Sequence, residues 1–229
     1  MNVSMRPQNL ELPCYIAGEA FHSATKLTVR CPYDGHTVGT VSTVTSAEVD
    51  KAIDAALIPA TPLTRYERST ILDKARQLLE ERREEFAHLI TSEAGLCLRE
   101  TRYEIGRASD VLRFAAIEAL RDDGQVFSCD ISPQGKARKI FTLREPLSLM
   151  LAITPFNHPL NQVAHKVAPA IAAGTPIILK PSAKTPLTAI RFAELLYEAG
   201  LPGRLLSVLL GPGEEVAERH LYATVGLHG

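Results

Sequence analysis

The sequence predicts an α/β chain: an N-terminal helical segment with a β-hairpin, followed by half of a doubly wound parallel sheet. Three observations carry this. Residues 147–153, 175–179 and 205–210 are short, nearly continuous apolar runs, as buried parallel strands are. Helical stretches at about 160–173 and 187–199 separate them, and a last helix begins near Glu214, giving β-α-β-α-β-α. Upstream, apolar residues recur with the period of an amphipathic helix instead of in runs.

Taken in order, residues 25–44 (TKLTVRCPYDGHTVGTVSTV) alternate β-branched residues around Pro32, Asp34 and Gly35, which reads as a hairpin. Ser46 is the expected N-cap of a helix through Leu57, and Pro62 and Thr64 start a longer one. Its stripe is Ile71, Leu72, Ala75, Leu78 and Leu79, with Glu80, Glu81, Arg82 and Arg83 as a solvated run. Phe86, Leu89 and Ile90 continue the stripe to Gly95, and a further helix at about 99–121 carries Val111, Leu112, Ala115 and Leu120. After a polar turn at Ser132, Pro133 and Gly135, residues 136–144 mix basic and apolar residues as an exposed strand does.

Composition narrows the partners. The 229 residues are 45% hydrophobic and 22% charged, which excludes a disordered or collagen-like chain. Lys+Arg 25 against Asp+Glu 26 leaves a net charge of -1, so there is no basic field for nucleic acid or an anionic membrane. A small molecule or a protein is the favoured partner. Arg6 and Glu11 interrupt the apolar stretch a signal peptide needs, and no window of 18 apolar residues is free of Gly, Pro and charge. The expected location is cytoplasmic. Cys14, Cys31, Cys97 and Cys129 stand apart with no CxxC, so reduced, mostly structural thiols are expected. No metal site is expected: His158 and His165 lack a third ligand at metal spacing.

In open α/β sheets ligands bind beyond the carboxyl ends of the strands, which directs attention to three clusters. In Thr154-Pro155-Phe156-Asn157-His158-Pro159, the Asn157 amide could stabilise an oxyanion or cap the next helix. In Lys180-Pro181-Ser182-Ala183-Lys184-Thr185-Pro186, an ammonium at a strand end suits anions or ribose hydroxyls, although P-loop spacing is absent and an exposed loop lysine would read the same. In Gly211-Pro212-Gly213-Glu214, two glycines permit close backbone approach, as would a bare strand-to-helix turn. Arg107 could meet an anionic substrate or a structural carboxylate.

Together, ITPFNHPLNQVAHKVAPAIAAGTPIILKPSAKTPLTAIRFAELLYEAGLPGRLLSVLLG resembles the cofactor-binding core of the aldehyde dehydrogenase superfamily. The P-F-N-x-P loop, the A-P-A-I-A-x-G segment, the K-P-S strand end, the T-P helix start and the E-A-G-L-P turn carry the resemblance. The IAGE hairpin start, the R-x-x-I-L helix and the SEAG turn extend it to about 15–221. PFNHPLNQVAHK, RFAAIEALRDDGQ and KPSAKTPL resemble the phosphonoacetaldehyde dehydrogenase type.

The resemblance implies a Rossmann-like sheet, with residues 1–146 packing on a dinucleotide-binding domain that begins at 147. It implies that Asn157 helps form the oxyanion hole, and that Ile153, Thr154, Pro155 and Phe156 line the cofactor groove. Lys180, with Ser182 and Ala183 beside it, would meet the adenosine ribose; Gly211, Gly213 and Glu214 would flank the adenine. His158 and Arg107 are candidate contacts to a phosphonate or phosphate. Many NAD-dependent members carry a Glu where Ala183 stands, so NAD is the expected cofactor with NADP admitted, Lys184 attracting its 2'-phosphate. The partners implied are an aldehyde and a nicotinamide cofactor, in a parent that is a homo-oligomer.

Members of this superfamily are roughly twice this length, and their nucleophilic Cys and general-base Glu lie beyond the point where this chain stops. The expectation is a fragment of an aldehyde dehydrogenase, inactive alone, with a truncated or out-of-frame end. The alternative is a shortened, non-catalytic module that binds a nucleotide or pairs with another subunit. Residues 136–140 resemble part of the family's oligomerisation hairpin without its partner strand.

Overall fold

A computed structural model describes residues 10–121 and 124–211. The parallel core forms as the apolar runs foretell. β8 (Met150–Ile153), β9 (Ile177–Lys180) and β10 (Leu206–Val208) pair in parallel, with Ile153 opposite Lys180 and Leu206 opposite Ile177. α5 (Asn161–Ala173) and α6 (Pro186–Glu198) make the crossovers, and Gly174, at φ +80, ends α5 in the left-handed conformation that a Cβ disfavours. All four residues of β9 are buried, as befits the central strand of the three. The helix expected near Glu214 lies outside the described residues.

The N-terminal part supplies the rest of the frame. β4 (Lys26–Arg30) and β5 (Thr37–Ser42) are the expected hairpin, while β1 (Leu10–Leu12) adds in parallel to β5. β2 (Cys14–Ile16) turns into β3 (Glu19–Phe21) and pairs antiparallel with β10, so the five-stranded sheet runs β3-β2-β10-β9-β8. Ala17 and Gly18, both at positive φ, make the tight turn that matches the twist of this hairpin. Buried Cys14 locks the junction: its thiol donates to the Ser42 carbonyl at 3.0 Å and accepts from the Leu210 N–H at 3.3 Å.

α1 (Ser46–Leu57) begins one residue earlier than expected, because Thr45 rather than Ser46 is the N-cap, in a capping box with Glu48. Thr64 opens α2 (Arg65–Glu81) in the same way with Glu67. The apolar stripe does not continue as one helix. The backbone turns at Arg82 and resumes as α3 (Arg83–Ala94), which ends on left-handed Gly95. α4 (Leu98–Glu118) follows and packs on α2, α3 and α5. The exposed strand is β7 (Lys139–Phe141), and its partner β6 (Val126–Ser128) was not foreseen. Among the described residues no helix is long and apolar enough to cross a membrane.

Candidate functional site at the strand ends

Because β8, β9 and β10 run parallel, the residues that follow them emerge along one edge of the sheet. Two of these loops are joined directly. The Thr154 N–H donates to the Lys180 carbonyl at 3.2 Å, and the Thr185 hydroxyl reaches the Phe156 carbonyl at 3.5 Å. The Lys184 ammonium sits 4.5 Å from the centre of the Phe156 ring, a cation–π contact across the same cleft. Ile153 is half-buried at the end of β8, Thr154 is buried, and Pro155 and Phe156 are exposed. Lys180, the last residue of β9, is only 4% exposed. Ser182, Ala183 and Gly211 are half-buried along it, while Gly213 and Glu214 lie outside the described residues.

Asn157 is exposed at the tip of the first loop. It is not the cap of α5. That role belongs to Glu104 on α4, whose buried carboxylate accepts the N–H groups of Leu160 and Asn161, each at 2.9 Å. His158 is held beside that carboxylate, with Nδ1 3.4 Å from Glu104 Oε2. Arg107 is exposed one turn along α4 from Glu104, so α4 carries both the residue that touches His158 and the candidate anion contact.

A second buried glutamate repeats the arrangement. Glu93, at the end of α3, accepts the N–H groups of Leu187 and Thr188 at 2.9 Å and so caps α6. Burial pushes its carboxyl up to about 7, with the nearby Glu104 charge in the same sense and the N–H donors opposing. Sequence reading passed over both glutamates. The signal was there: each interrupts an apolar helical stripe, Glu93 after Leu89 and Ile90, and Glu104 beside Ile105 and Ala108.

The carboxylate caps have a chemical consequence. The amides at the starts of α5 and α6 are already satisfied by these carboxylates and are not open to an anion at this edge. Residues 180–186 carry no acidic side chain. The Cys14 thiol is buried, and desolvation pushes it up to about 11, which disfavours the thiolate.

A concavity of about 1060 Å³ lies elsewhere, between α2, α4, α5 and residues 144–146, with Arg68, Phe114, Arg144 and His165 on its walls.

Comparison with known proteins agrees with the sheet and the loop motifs. Residues 20–224 match the Aldehyde dehydrogenase family. The chain is 40% identical over 208 residues to a 3-sulfolactaldehyde dehydrogenase of Priestia aryabhattai, covering 89% of this chain and 43% of that protein. It is 40% identical over 186 residues to aspartate-semialdehyde dehydrogenase 1 of Pseudomonas canavaninivorans, covering 80% of this chain and 40% of the relative. The structure of aldehyde dehydrogenase 21 from Physcomitrella patens, in complex with the reaction product succinate, superposes with a TM-score of 0.88 at 33% identity, over 93% of this chain and 45% of that one. NADP-dependent glyceraldehyde-3-phosphate dehydrogenase from Bacillus halodurans, complexed with NADP, gives 0.85 at 30% identity over 93% and 46%. The chain thus spans less than half the length of the curated relatives it matches. With the parallel edge, the P-F-N-x-P and K-P-S loops and these likenesses in agreement, the chain belongs to the aldehyde dehydrogenase family.

Proposed function

We propose that these residues are the N-terminal, cofactor-binding portion of an NAD(P)-dependent aldehyde dehydrogenase that oxidises an aldehyde bearing a second, anionic group, phosphonoacetaldehyde being the first candidate. The observation that carries this reading is the edge where Asn157 is exposed at one strand end and Lys180 is buried at the next, their loops tied by the Thr154–Lys180 hydrogen bond. When bound, the nicotinamide cofactor accepts a hydride from the substrate carbon. Lys180 and Ser182 hold the ribose, Ile153, Thr154, Pro155 and Phe156 line the groove, and Asn157 donates to the oxygen that becomes anionic. Gly211, Gly213 and Glu214 flank the adenine. His158 and Arg107 meet the anionic group. The remainder of the family's length is needed for the reaction as a whole.

The anionic substrate class is supported by the names of several relatives, since 3-sulfolactaldehyde and aspartate, glutarate and succinate semialdehydes carry a charged group away from the aldehyde, although another relative is named for the neutral D-glyceraldehyde. NAD is the first cofactor. Ala183 leaves room for a 2'-phosphate, and Lys184, held over Phe156, is the cation available to it. Calorimetric titration of the 229-residue chain with NAD and NADP tests the reading. Saturable binding is expected, weakened about tenfold or more by Lys180→Met, with Ala183→Glu penalising NADP more than NAD. Binding of neither dinucleotide, or binding indifferent to Lys180→Met, overturns the assignment of this edge.

A further inference from the structure

Among the described residues, a cluster of ligating side chains lies outside the strand-end site, at the turn between β4 and β5. Residues 31–36, Cys31-Pro32-Tyr33-Asp34-Gly35-His36, close this hairpin. The Cys31 N–H donates to the His36 carbonyl and the Gly35 N–H to the Cys31 carbonyl, both at 2.9 Å, and Gly35 takes φ +76. The fold of this turn brings three different ligand types to one point. Cys31 Sγ, an Asp34 carboxylate oxygen and a His36 ring nitrogen all lie within 4.8 Å of one another. His36 Nδ1 contacts Asp34 Oδ1, which also accepts the His36 N–H at 3.2 Å. His36 Nε2 is buried without a partner. Cys31 is 8% exposed whereas Asp34 is exposed, so the cluster has a buried floor and one open side through which an ion can enter.

From this convergence we infer that the β4–β5 turn binds a divalent transition-metal ion of the zinc class, held by Cys31, Asp34 and His36 with water in the fourth position. Ligand atoms around a tetrahedral zinc stand about 3.2–3.8 Å apart, so no pair has to close by more than about 1 to 1.5 Å, while the contact between His36 Nδ1 and Asp34 Oδ1 opens to admit the ion. The mixed sulfur, nitrogen and oxygen set selects against Ca²⁺ and Mg²⁺, which take oxygen ligands. On binding, the Cys31 thiol releases its proton to solvent and the thiolate sulfur donates an electron pair to the ion, with no change of oxidation state. The ion would tie a turn that already buttresses the helical layer. A Cβ at Gly95 would come within 2.6 Å of Pro32 Cγ, so this turn packs on the end of α3, the helix whose Glu93 caps α6. An ion that binds the folded turn and not the unfolded chain raises stability by mass action.

Cobalt(II) added to the reduced 229-residue chain is the probe. Uptake of one equivalent is expected, with a near-ultraviolet thiolate-to-cobalt band that zinc(II) displaces. Cys31→Ser abolishes the band, His36→Gln weakens uptake by roughly tenfold or more, and a Cys97→Ser/Cys129→Ser double variant leaves both unchanged. Zinc(II) raises the unfolding midpoint of the wild-type chain and not that of His36→Gln. The turn is on the surface, and far-ultraviolet circular dichroism verifies that each variant is folded. Absence of stoichiometric uptake by the wild-type chain overturns the inference, as does a band that survives Cys31→Ser or vanishes in the double variant.

Discussion

Glu104 on α4 and Asn161 on α5, 57 positions apart in the chain, are joined by a 2.9 Å hydrogen bond from the Asn161 N–H to the buried carboxylate. Glu93 makes the equivalent bond to Thr188 at the start of α6. The helical layer thus reaches across and completes both crossover helices of the sheet. Glu104 also contacts His158, so the shape of the loop after β8 depends on a residue far from it in sequence.

Glu104→Ala removes the acceptor for two buried N–H groups at the start of α5. Each buried donor left unpaired costs about 1–3 kcal/mol, so a loss of about 3 kcal/mol is expected. Glu104→Gln keeps one acceptor oxygen and should lose about 1 kcal/mol. Urea unfolding of the two variants measures the difference, and equal losses would show that the cap is not what Glu104 contributes.

Glu93 makes stability depend on pH. Its carboxyl is lifted from an ordinary value of 4.5 to about 7 by burial. As pH rises from 4.5, the unfolded chain gives up this proton first while the folded one retains it, so folding is progressively disfavoured until pH passes about 7 and then levels. The stabilising contribution is complete below 4.5 and lost above about 7. Urea midpoints across this window should fall in the wild-type chain, and Glu93→Gln should remove that component of the slope.

Gly203 follows the E-A-G-L-P turn and lies against the first hairpin. A Cβ there would stand 2.1 Å from the Ala17 carbonyl oxygen and 2.8 Å from Gly18 Cα, both backbone atoms of a tight turn. Gly203→Ala is expected to cost about 2 kcal/mol or more, as overpacking against backbone does. Gly200, at φ +104 with nothing within 4 Å of a Cβ, is the control: Gly200→Ala carries the backbone penalty alone, about 1 kcal/mol. Thermal or urea unfolding ranks the two, and the reverse order would refute the close contact.

Arg107 tests the substrate class. In an enzyme comprising the family's full length, Arg107→Ala should raise KM for phosphonoacetaldehyde by about tenfold or more and leave KM for a neutral aldehyde of similar size unchanged, because a charge-assisted pair is lost only with the anion. Equal effects on the two substrates would remove Arg107 from the anion site. Steady-state kinetics at saturating cofactor makes the comparison.

Local patterning determined a great deal here. The three apolar runs became β8, β9 and β10, the 3.6-residue stripes became α2 to α4, and Gly95 and Gly174 ended helices, because each preference is set within a few residues of chain. The Asn157 and Lys180 loops were legible for the same reason, since parallel strands put all their ends on one edge. Tertiary structure decided the rest: β2 beside β10, β1 beside β5, β6 on β7, and the Glu93 and Glu104 caps. A strand edge or buried carboxylate has no preferred partner in its own neighbourhood. It pairs with whichever donor the packed layers bring within 3 Å and away from water, and that choice exists only once the layers have met.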